Sequence, residues 1–197
     1  WVEKYRPNHF DEIILDDLTK HMLENIVKEK KFPNILFYGP PGTGKTTTIV
    51  NLINYFQSYH NQQNNSLIIH QNASDERGVD VIRNHLFNFV NSKGLFDDGI
   101  KFIILDEVDY MTKNAQQALK YLINDYHENV RLCLICNYIS KIDESVKNEF
   151  ITVRFNRVPE KKIFDFIKDI SIKENIKLSD KSIYSVIKLY KSDIRSM

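Results

Sequence analysis

The sequence predicts an α/β fold in which a parallel sheet with helices on both faces is followed by a smaller, all-helical domain. Two observations lead to this prediction. Over residues 1–157, short apolar runs typical of buried strands alternate with segments whose apolar residues recur every three to four positions, as on one face of a helix. From Val158 onward only the helical pattern remains. We therefore predict one domain over residues 1–157 and a second over residues 158–197.

The elements of the first domain follow from this alternation. The predicted strands cover residues 34–38, 66–71, 101–105, 131–136 and 151–155. The predicted helices begin at Asp17 or Thr19 and then cover residues 46–56, 79–91 and 114–125. The tract at residues 60–66 is polar throughout and predicts a solvated loop.

The second domain carries helix-start residues at regular intervals. Pro159 suits the first turn of one helix, because its missing N–H is not needed there. Ser179 or Asp180 can cap a second helix, and Ser192 or Asp193 a third. The chain has no initiating Met and stops at Met197 inside this helical pattern, so we expect a piece of a longer polypeptide.

Composition favours a soluble globular protein with one substantial core, since 42% of the 197 residues are hydrophobic. The net charge of +1 gives no overall attraction to nucleic acid, so DNA binding would need a local arrangement of Lys and Arg. No apolar run approaches the roughly 20 residues of a membrane span. The first seven residues are charged and aromatic, unlike a signal peptide. We expect an intracellular protein with no membrane partner.

A glycine-rich loop organises the first domain. Residues 39–46 fit the pattern G-x-x-x-x-G-K-[ST], between a predicted strand and a predicted helix. The glycines let the backbone curl until its N–H groups converge on a phosphate, and the helix dipole adds positive potential there. Lys45 would reach the β- and γ-phosphates of ATP, or the β-phosphate of ADP, and Thr46 would offer its hydroxyl to Mg²⁺. The predicted nucleotide contacts are Gly39, Pro40, Pro41, Gly42, Thr43, Gly44, Lys45, Thr46 and Thr47.

Three further side chains are candidates for the chemistry of ATP hydrolysis. Asp106 and Glu107 follow a buried strand, where Asp106 would hold Mg²⁺ and Glu107 would orient and polarise the attacking water. Asn137 follows the next strand and could position the same water.

Arg195 stands at a predicted helix start, where the dipole disfavours a cation. A cation at that position is stabilised if it faces a γ-phosphate. Such an arginine would let the second domain sense the state of the nucleotide.

The two cysteines, Cys133 and Cys136, form a C-x-x-C pattern inside a predicted strand. Residues three apart on a strand point to opposite faces. We therefore expect two buried core thiols, neither a disulfide nor a metal site.

Several motifs occur together: WVEKYRP at residues 1–7, the glycine-rich loop at 39–47, NASDERG at 72–78, LDEVD at 105–109, MT at 111–112, AQQAL at 115–119 and CNY at 136–138. With them the chain resembles, over essentially its whole length, a replication factor C small subunit. These are AAA+ ATPases of the sliding-clamp loader.

The resemblance implies a P-loop AAA+ parallel-sheet domain followed by a small all-α lid domain. It further implies a hetero-pentamer that uses ATP and Mg²⁺ to open a sliding clamp and place it on primer-template DNA. Such a protein would be nuclear in a eukaryote and cytoplasmic otherwise.

Residue roles also follow from the resemblance. Asn137 matches sensor 1 and Arg195 matches sensor 2. The positions that match residues near the adenine are Val2, Tyr5 and Arg6. The positions that match residues tracking the DNA backbone are Arg77, Arg83 and Lys141.

One motif departs from the family pattern. Where members usually carry Ser-Arg-Cys, whose Arg enters the neighbouring subunit's ATP site, this chain has Asn148-Glu149-Phe150. A carboxylate cannot stabilise negative charge that develops on a γ-phosphate. We therefore expect that this chain does not activate its neighbour in the usual way, unless another arginine such as Arg154 serves instead.

Two other functions remain open at this stage. One is a nucleotide-binding assembly module that holds partners together with little turnover, which Asn148-Glu149-Phe150 favours and Asp106-Glu107 disfavours. The other is a different AAA+ DNA remodeller, such as a Holliday-junction branch-migration helicase. The motif at residues 72–78 argues against that one.

Overall fold

The computed structural model of the protein describes residues 1–74, 79–92, 99–126, 128–191 and 193–197, with backbone only for residues 79–83. Within the described residues, five strands form one sheet in the order β2-β3-β4-β1-β5. Their bounds are Ile35–Tyr38 (β1), Ile68–Asn72 (β2), Lys101–Asp106 (β3), Val130–Cys136 (β4) and Ile151–Arg154 (β5). Every neighbouring pair is parallel, which confirms the predicted parallel sheet.

Helices connect the strands and follow the sheet. Their bounds are Asp17–Lys28 (α1), Lys45–Tyr59 (α2), Val79–Asn91 (α3), Lys113–Asp125 (α4), Glu144–Lys147 (α5), Glu160–Lys173 (α6) and Asp180–Tyr190 (α7). Short 3₁₀ turns lie at Phe10–Glu12, Asn65–Leu67, Val108–Tyr110, Ile139–Lys141 and Ile194–Ser196. No helix in the described parts of the chain has the length and apolarity to cross a membrane.

Some boundaries differ from the predictions for local reasons. The second strand begins at Ile68, because Asn64 accepts the N–H of Ser66 and shapes a 3₁₀ turn before it. The sequence did not predict α5, which is four residues long and is capped by Asp143. The helix predicted at the end of the second domain is a single 3₁₀ turn, Ile194–Ser196, capped by Asp193. Ser192, the other predicted cap, lies outside the described residues.

The three central strands, β1, β3 and β4, are buried on both faces, and their alternate residues enter two separate hydrophobic clusters. In β1, Ile35 and Phe37 join the cluster that includes α1 and α2, whereas Leu36 joins the cluster that includes α4. The same alternation puts Cys133 in the first cluster and Cys136 in the second, so the thiols lie on opposite faces as expected. Both are free and buried, and burial raises the pKa of Cys136 to about 12.

A third cluster lies within the helices that follow the sheet. Ile163, Ile183 and Ile187 are buried there, between α6 and α7. The predicted domain boundary near Arg157 stays a prediction, and this cluster gives the helical part apolar packing of its own.

A buried lysine closes the end of α3. The ammonium of Lys101, 8% exposed, donates hydrogen bonds to the backbone oxygens of Phe89, at 2.8 Å, and Val90, at 3.2 Å, and also to the backbone oxygen of Ser92. These carbonyls stand at the negative end of the helix dipole, where a cation is favourable. Lys101 therefore replaces the donors that the last turn of a helix lacks.

We expect Lys101→Met to lower the free energy of unfolding by about 2 kcal/mol, because several carbonyls lose their donor while packing volume is kept. Urea denaturation followed by circular dichroism measures this change. Lys177→Met, at an exposed position, is the matched control. Equal effects of the two substitutions would contradict a capping role for Lys101.

Candidate active site

The sheet topology brings three strand ends together. β1 lies beside β4, and β4 lies beside β3, so their carboxyl ends are adjacent at one edge of the sheet. The glycine-rich loop follows β1, Asp106 and Glu107 follow β3, and Asn137 follows β4. Ligands of open α/β sheets bind outside such strand ends, where the strand order reverses.

The glycine-rich loop takes a backbone that other residues rarely adopt. Gly39, Gly42 and Gly44 have φ angles of +145°, +71° and +85°. Gly44 caps the first turn of α2, so the loop runs directly into a helix N-terminus. The predicted cradle of N–H groups thus sits where the helix dipole favours a phosphate.

Two of these glycines also allow close contacts. A Cβ atom on Gly39 would stand 2.2 Å from the backbone oxygen of Phe155, and one on Gly42 would stand 2.0 Å from Oδ1 of Asp193. The loop is therefore packed between the end of β5 and the last 3₁₀ turn of the chain.

We expect Gly42→Ala to weaken ATP binding roughly tenfold to a hundredfold, since backbone strain of about 1–3 kcal/mol and a clash with Asp193 both oppose the bound loop. Titration with a fluorescent ATP analogue measures the change. Gly99→Ala is the control, because its new Cβ would approach only the side-chain end of Leu67. Unchanged affinity in Gly42→Ala would show that the loop is not the phosphate site.

Lys45 lies at the centre of the site and is only 7% exposed. Its ammonium donates to the backbone oxygens of Gly39 and Pro40, both at 2.8 Å, and to Oδ1 of Asn137 at 3.0 Å. Burial lowers the pKa of Lys45, and the carboxylates of Asp106 and Asp109 oppose that shift. The ammonium is thus held by uncharged acceptors, which a phosphate group can replace.

The acidic pair after β3 lies against the start of α2. The hydroxyl of Thr46 donates to Oδ2 of Asp106 at 2.6 Å. The other oxygen of Asp106, Oδ1, accepts the backbone N–H of Glu107 at 2.9 Å. A hydroxyl and a carboxylate side by side are the oxygen ligands that Mg²⁺ prefers, so these two residues fit the predicted metal role.

Glu107 is oriented by a residue that the sequence analysis did not single out. Its backbone lies in the left-handed region, with φ of +58°, and its Oε2 accepts the hydroxyl of Ser74 at 2.6 Å. Strained backbone of this kind is frequent at functional sites. Ser74 belongs to the motif at residues 72–78, whose polar composition was the available signal for a role near the site.

Arg195 lies in the 3₁₀ turn that contacts the glycine-rich loop through Asp193. Its backbone N–H donates to Oδ1 of Asp193 at 3.2 Å, and its side chain is exposed. Its positive charge is one of the influences that lower the pKa of Lys45, after the larger effect of burial. The turn therefore brings Arg195 to the same side of the molecule as the phosphate loop.

The N-terminal segment lies along α2 and reaches α6. Arg6 donates to the hydroxyl of Thr47 at 3.3 Å, and the Tyr5 hydroxyl donates to Glu174 at 2.5 Å. Val2 is 51% exposed. Tyr5 and Arg6 thus link the first turn of α2 to the end of α6, and their predicted role near the adenine stays a prediction.

A cleft lies beside the glycine-rich loop, and the residues that line it differ from the predicted adenine contacts. It has a volume of about 390 Å³ counting its open mouth, and its lining includes Ile14, Leu15, Thr43, Arg157 and Val158. Val2, Tyr5 and Arg6 are not among the residues that line it. An apolar cleft next to a phosphate loop suits a planar base. The apolar run before α1 was the available signal for Ile14 and Leu15.

Of the predicted DNA contacts, Lys141 is the one whose side chain the structure describes. Arg77 lies outside the described residues, and Arg83 is placed in α3 by its backbone alone. Lys141 is exposed, with its ammonium 5.0 Å from the ring centroid of Tyr110 and 5.3 Å from that of Tyr138.

The residues that stand where the resemblance leads us to expect Ser-Arg-Cys make local contacts. Phe150 is 8% exposed and belongs to the second hydrophobic cluster. The carboxylate of Glu149 lies 4.0 Å from the ammonium of Lys120. Arg154, the alternative finger, is exposed on the edge strand β5.

Comparison with known proteins identifies the class. Residues 35–158 match the model of the AAA family, the ATPases associated with various cellular activities, and the chain belongs to that family. Membership of this ATPase family implies that the site binds a nucleotide.

Individual relatives are more specific. The chain is 40% identical to replication factor C subunit 3 of Saccharomyces cerevisiae over 197 residues, which is 99% of this chain and 56% of the relative. It is 35% identical to replication factor C subunit 5 of Homo sapiens over 195 residues, covering 99% and 57% of the two chains. It is 37% identical to replication factor C small subunit 2 of Pyrobaculum islandicum, covering 99% and 60%. The resemblance to replication factor C small subunits is confirmed, and the chain spans less than two thirds of these relatives.

Solved structures agree on the fold. A variant of RuvB from Thermotoga maritima superposes with a TM-score of 0.74 at 18% identity, covering 97% of this chain and 62% of that one. At this identity the likeness shows a shared fold and no more.

Proposed function

We propose that this chain is the ATP-binding and ATP-hydrolysing part of a clamp-loader subunit. The observation that supports it best is the convergence of Lys45, Thr46, Asp106, Glu107 and Asn137 at one sheet edge. Similarity to replication factor C subunits over 99% of the chain supports the clamp-loader assignment.

Each side chain has a role in this proposal. Lys45 exchanges its carbonyl partners for the β- and γ-phosphates of ATP, while its hydrogen bond to Asn137 keeps the ammonium oriented. Thr46 and Asp106 would hold Mg²⁺, which supplies charge neutralisation at the phosphates. Glu107, aligned by Ser74, orients and polarises the attacking water. Arg195 approaches the γ-phosphate from the lid side.

The proposed partners are the other subunits of a hetero-pentamer, a sliding clamp and the backbone of primer-template DNA. In a eukaryotic source this function would place the protein in the nucleus. The direct test of partnership is binding of a sliding clamp by the longer chain assembled with its partner subunits. ATP-dependent binding supports the proposal, and equal binding with and without ATP would contradict it.

A second candidate is an assembly module that binds ATP with little turnover, and Glu149 is the observation that favours it.

Glu149→Arg, with Asn148→Ser and Phe150→Cys, restores the family pattern. In the assembled complex it should raise hydrolysis by the neighbouring subunit, since such fingers contribute about 10³- to 10⁵-fold in other P-loop enzymes. If the neighbour's site is competent and its rate of ATP hydrolysis is unchanged, another arginine such as Arg154 already acts as the finger.

DNA contacts should be to phosphates and therefore sensitive to salt. We expect Arg83→Ala in the assembled complex to reduce DNA-stimulated hydrolysis and to lower the salt slope of DNA binding by roughly one unit, equally for all template sequences. Fluorescence anisotropy at a series of salt concentrations measures the slope. Lys181→Ala, at an exposed position on α7, is the control. An unaltered slope, or a loss limited to particular sequences, would remove Arg83 from the DNA path.

A further inference from the structure

Asp109 is a buried carboxylate to which the mechanism above gives no role. It lies in the 3₁₀ turn after β3 and is 5% exposed. Its Oδ1 accepts the backbone N–H of Asn137 at 3.4 Å. Its Oδ2 is buried and has no hydrogen-bond partner among the described residues. Burying a carboxylate with so little compensation is costly for the fold.

The local fold does not need this side chain. The turn that carries Asp109 is closed by backbone hydrogen bonds, from Tyr110 to Glu107 at 3.0 Å and from Met111 to Val108 at 3.1 Å. By contrast, Asp16 and Asp143 accept N–H groups of the helices that they cap, α1 and α5. Asp109 instead reaches across to the end of the neighbouring strand.

The bond to Asn137 is also too long to be a strong stabiliser. N–H···O hydrogen bonds in proteins are typically about 2.7–3.2 Å. A contact at 3.4 Å therefore offsets little of the cost of burial. Unsatisfied buried polar groups in native proteins are often explained by a function.

Asp109 begins a short chain of contacts that ends at the phosphate site. Its carboxylate contacts the backbone N–H of Asn137 at 3.4 Å, and the side-chain oxygen of Asn137 accepts a hydrogen bond from the ammonium of Lys45 at 3.0 Å. Asn137 stands just beyond the last residue of β4, where the strand no longer fixes the backbone. The contact with Asp109 therefore lies at the point where the chain leaves the sheet.

We propose that Asp109 is a positioning residue that fixes the backbone of Asn137, so that the Asn137 amide faces Lys45 and the site of the γ-phosphate. This inference rests on the proposed ATPase function. It assigns to Asp109 a role in the rate of hydrolysis and little role in nucleotide affinity, since the glycine-rich loop supplies most phosphate contacts.

The test compares Asp109→Asn with Asp109→Leu in the longer chain assembled with its partner subunits. Asn keeps an acceptor oxygen for the Asn137 N–H, whereas Leu has the same branched shape, a larger volume and no acceptor. Leu leaves the N–H of Asn137 without this acceptor, so a purely structural role predicts a loss of stability with no change in the hydrolysis rate of the folded complex. A positioning role predicts slower hydrolysis in the Leu variant even when stability is kept.

We expect Asp109→Leu to slow single-turnover ATP hydrolysis about tenfold while the Kd for ATP stays within about threefold, as for loss of an interaction used in the transition state. Asp109→Asn should retain most of the rate. Asp109→Leu combined with Asn137→Ala should be no slower than Asn137→Ala alone, because Asp109 acts through Asn137. Asp143→Ala, which removes a helix cap outside the site, should leave the rate unchanged. Asp109→Ala replaces the Leu variant if that variant does not fold.

Three results would overturn the proposal. They are equal rates in Asp109→Leu and the wild type, equal losses in the Asn and Leu variants, and additive losses in the double variant. Failure of the ATPase assignment itself gives a different result, because the wild-type complex and Glu107→Gln would then hydrolyse ATP at the same rate.

Discussion

Lys45→Ala should abolish measurable ATP binding. The ammonium of Lys45 is the cation that the structure places inside the glycine-rich loop, within 3.0 Å of the Gly39, Pro40 and Asn137 oxygens. Without it, β- and γ-phosphate charge meets two carbonyl oxygens and the carboxylate of Asp106. We expect at least a hundredfold rise in Kd, about 2.7 kcal/mol, in isothermal titration with ATP and Mg²⁺.

The control for this substitution is Lys177→Ala, which removes the same charge from an exposed position. Circular dichroism establishes that both variants are folded. A Kd for Lys45→Ala within threefold of the wild-type value would mean that the phosphates bind elsewhere.

Glu107→Gln should separate binding from chemistry. Gln keeps the shape of Glu107 and an oxygen that can accept the Ser74 hydroxyl, so the strained turn and the ATP affinity should persist. Its uncharged amide cannot polarise the attacking water as a carboxylate does, so hydrolysis should fall at least about a hundredfold. Single-turnover hydrolysis of labelled ATP with protein in excess measures the rate.

The matched comparison is Ser74→Ala, which leaves the Glu107 carboxylate in place and removes the hydroxyl that aligns it. We expect a smaller loss of rate than in Glu107→Gln, with unchanged affinity. Equal losses of ATP binding in Lys45→Ala and Glu107→Gln would contradict the separate roles given to these residues.

Features that depend on local periodicity were predictable from the sequence. The apolar runs gave the strands, because a strand buried on both faces needs no polar alternation. The period of two also placed Cys133 and Cys136 on opposite faces, as the two clusters confirm. The phosphate loop was predictable because its conformation demands glycine at fixed positions.

Features that depend on contacts between distant segments were not predictable in this way. Ser74 and Glu107 are 33 residues apart, and nothing in either segment specifies the hydrogen bond that joins them. In the sequence, Asp109 is only the last residue of the LDEVD motif, and its burial and its contact with Asn137 depend on the fold. The cleft beside Thr43 joins residues near 15 to residues near 157, which only the tertiary structure brings together.

The residues that replace the expected Ser-Arg-Cys also have contacts that only the tertiary structure reveals. The sequence reveals that Asn148-Glu149-Phe150 departs from the family pattern, and the structure adds that Phe150 fills the core and Glu149 faces Lys120.

The most direct test of the central claim is the rate of ATP hydrolysis by the longer chain assembled with its partner subunits, with and without a sliding clamp and primer-template DNA. Two complexes are compared, one with the wild-type chain and one with Glu107→Gln in this chain alone. We expect that clamp and DNA together stimulate the wild-type complex, and that Glu107→Gln removes this chain's share of the stimulated rate while ATP binding is kept. Identical stimulated rates in the two complexes would contradict the claim that this chain hydrolyses ATP in clamp loading.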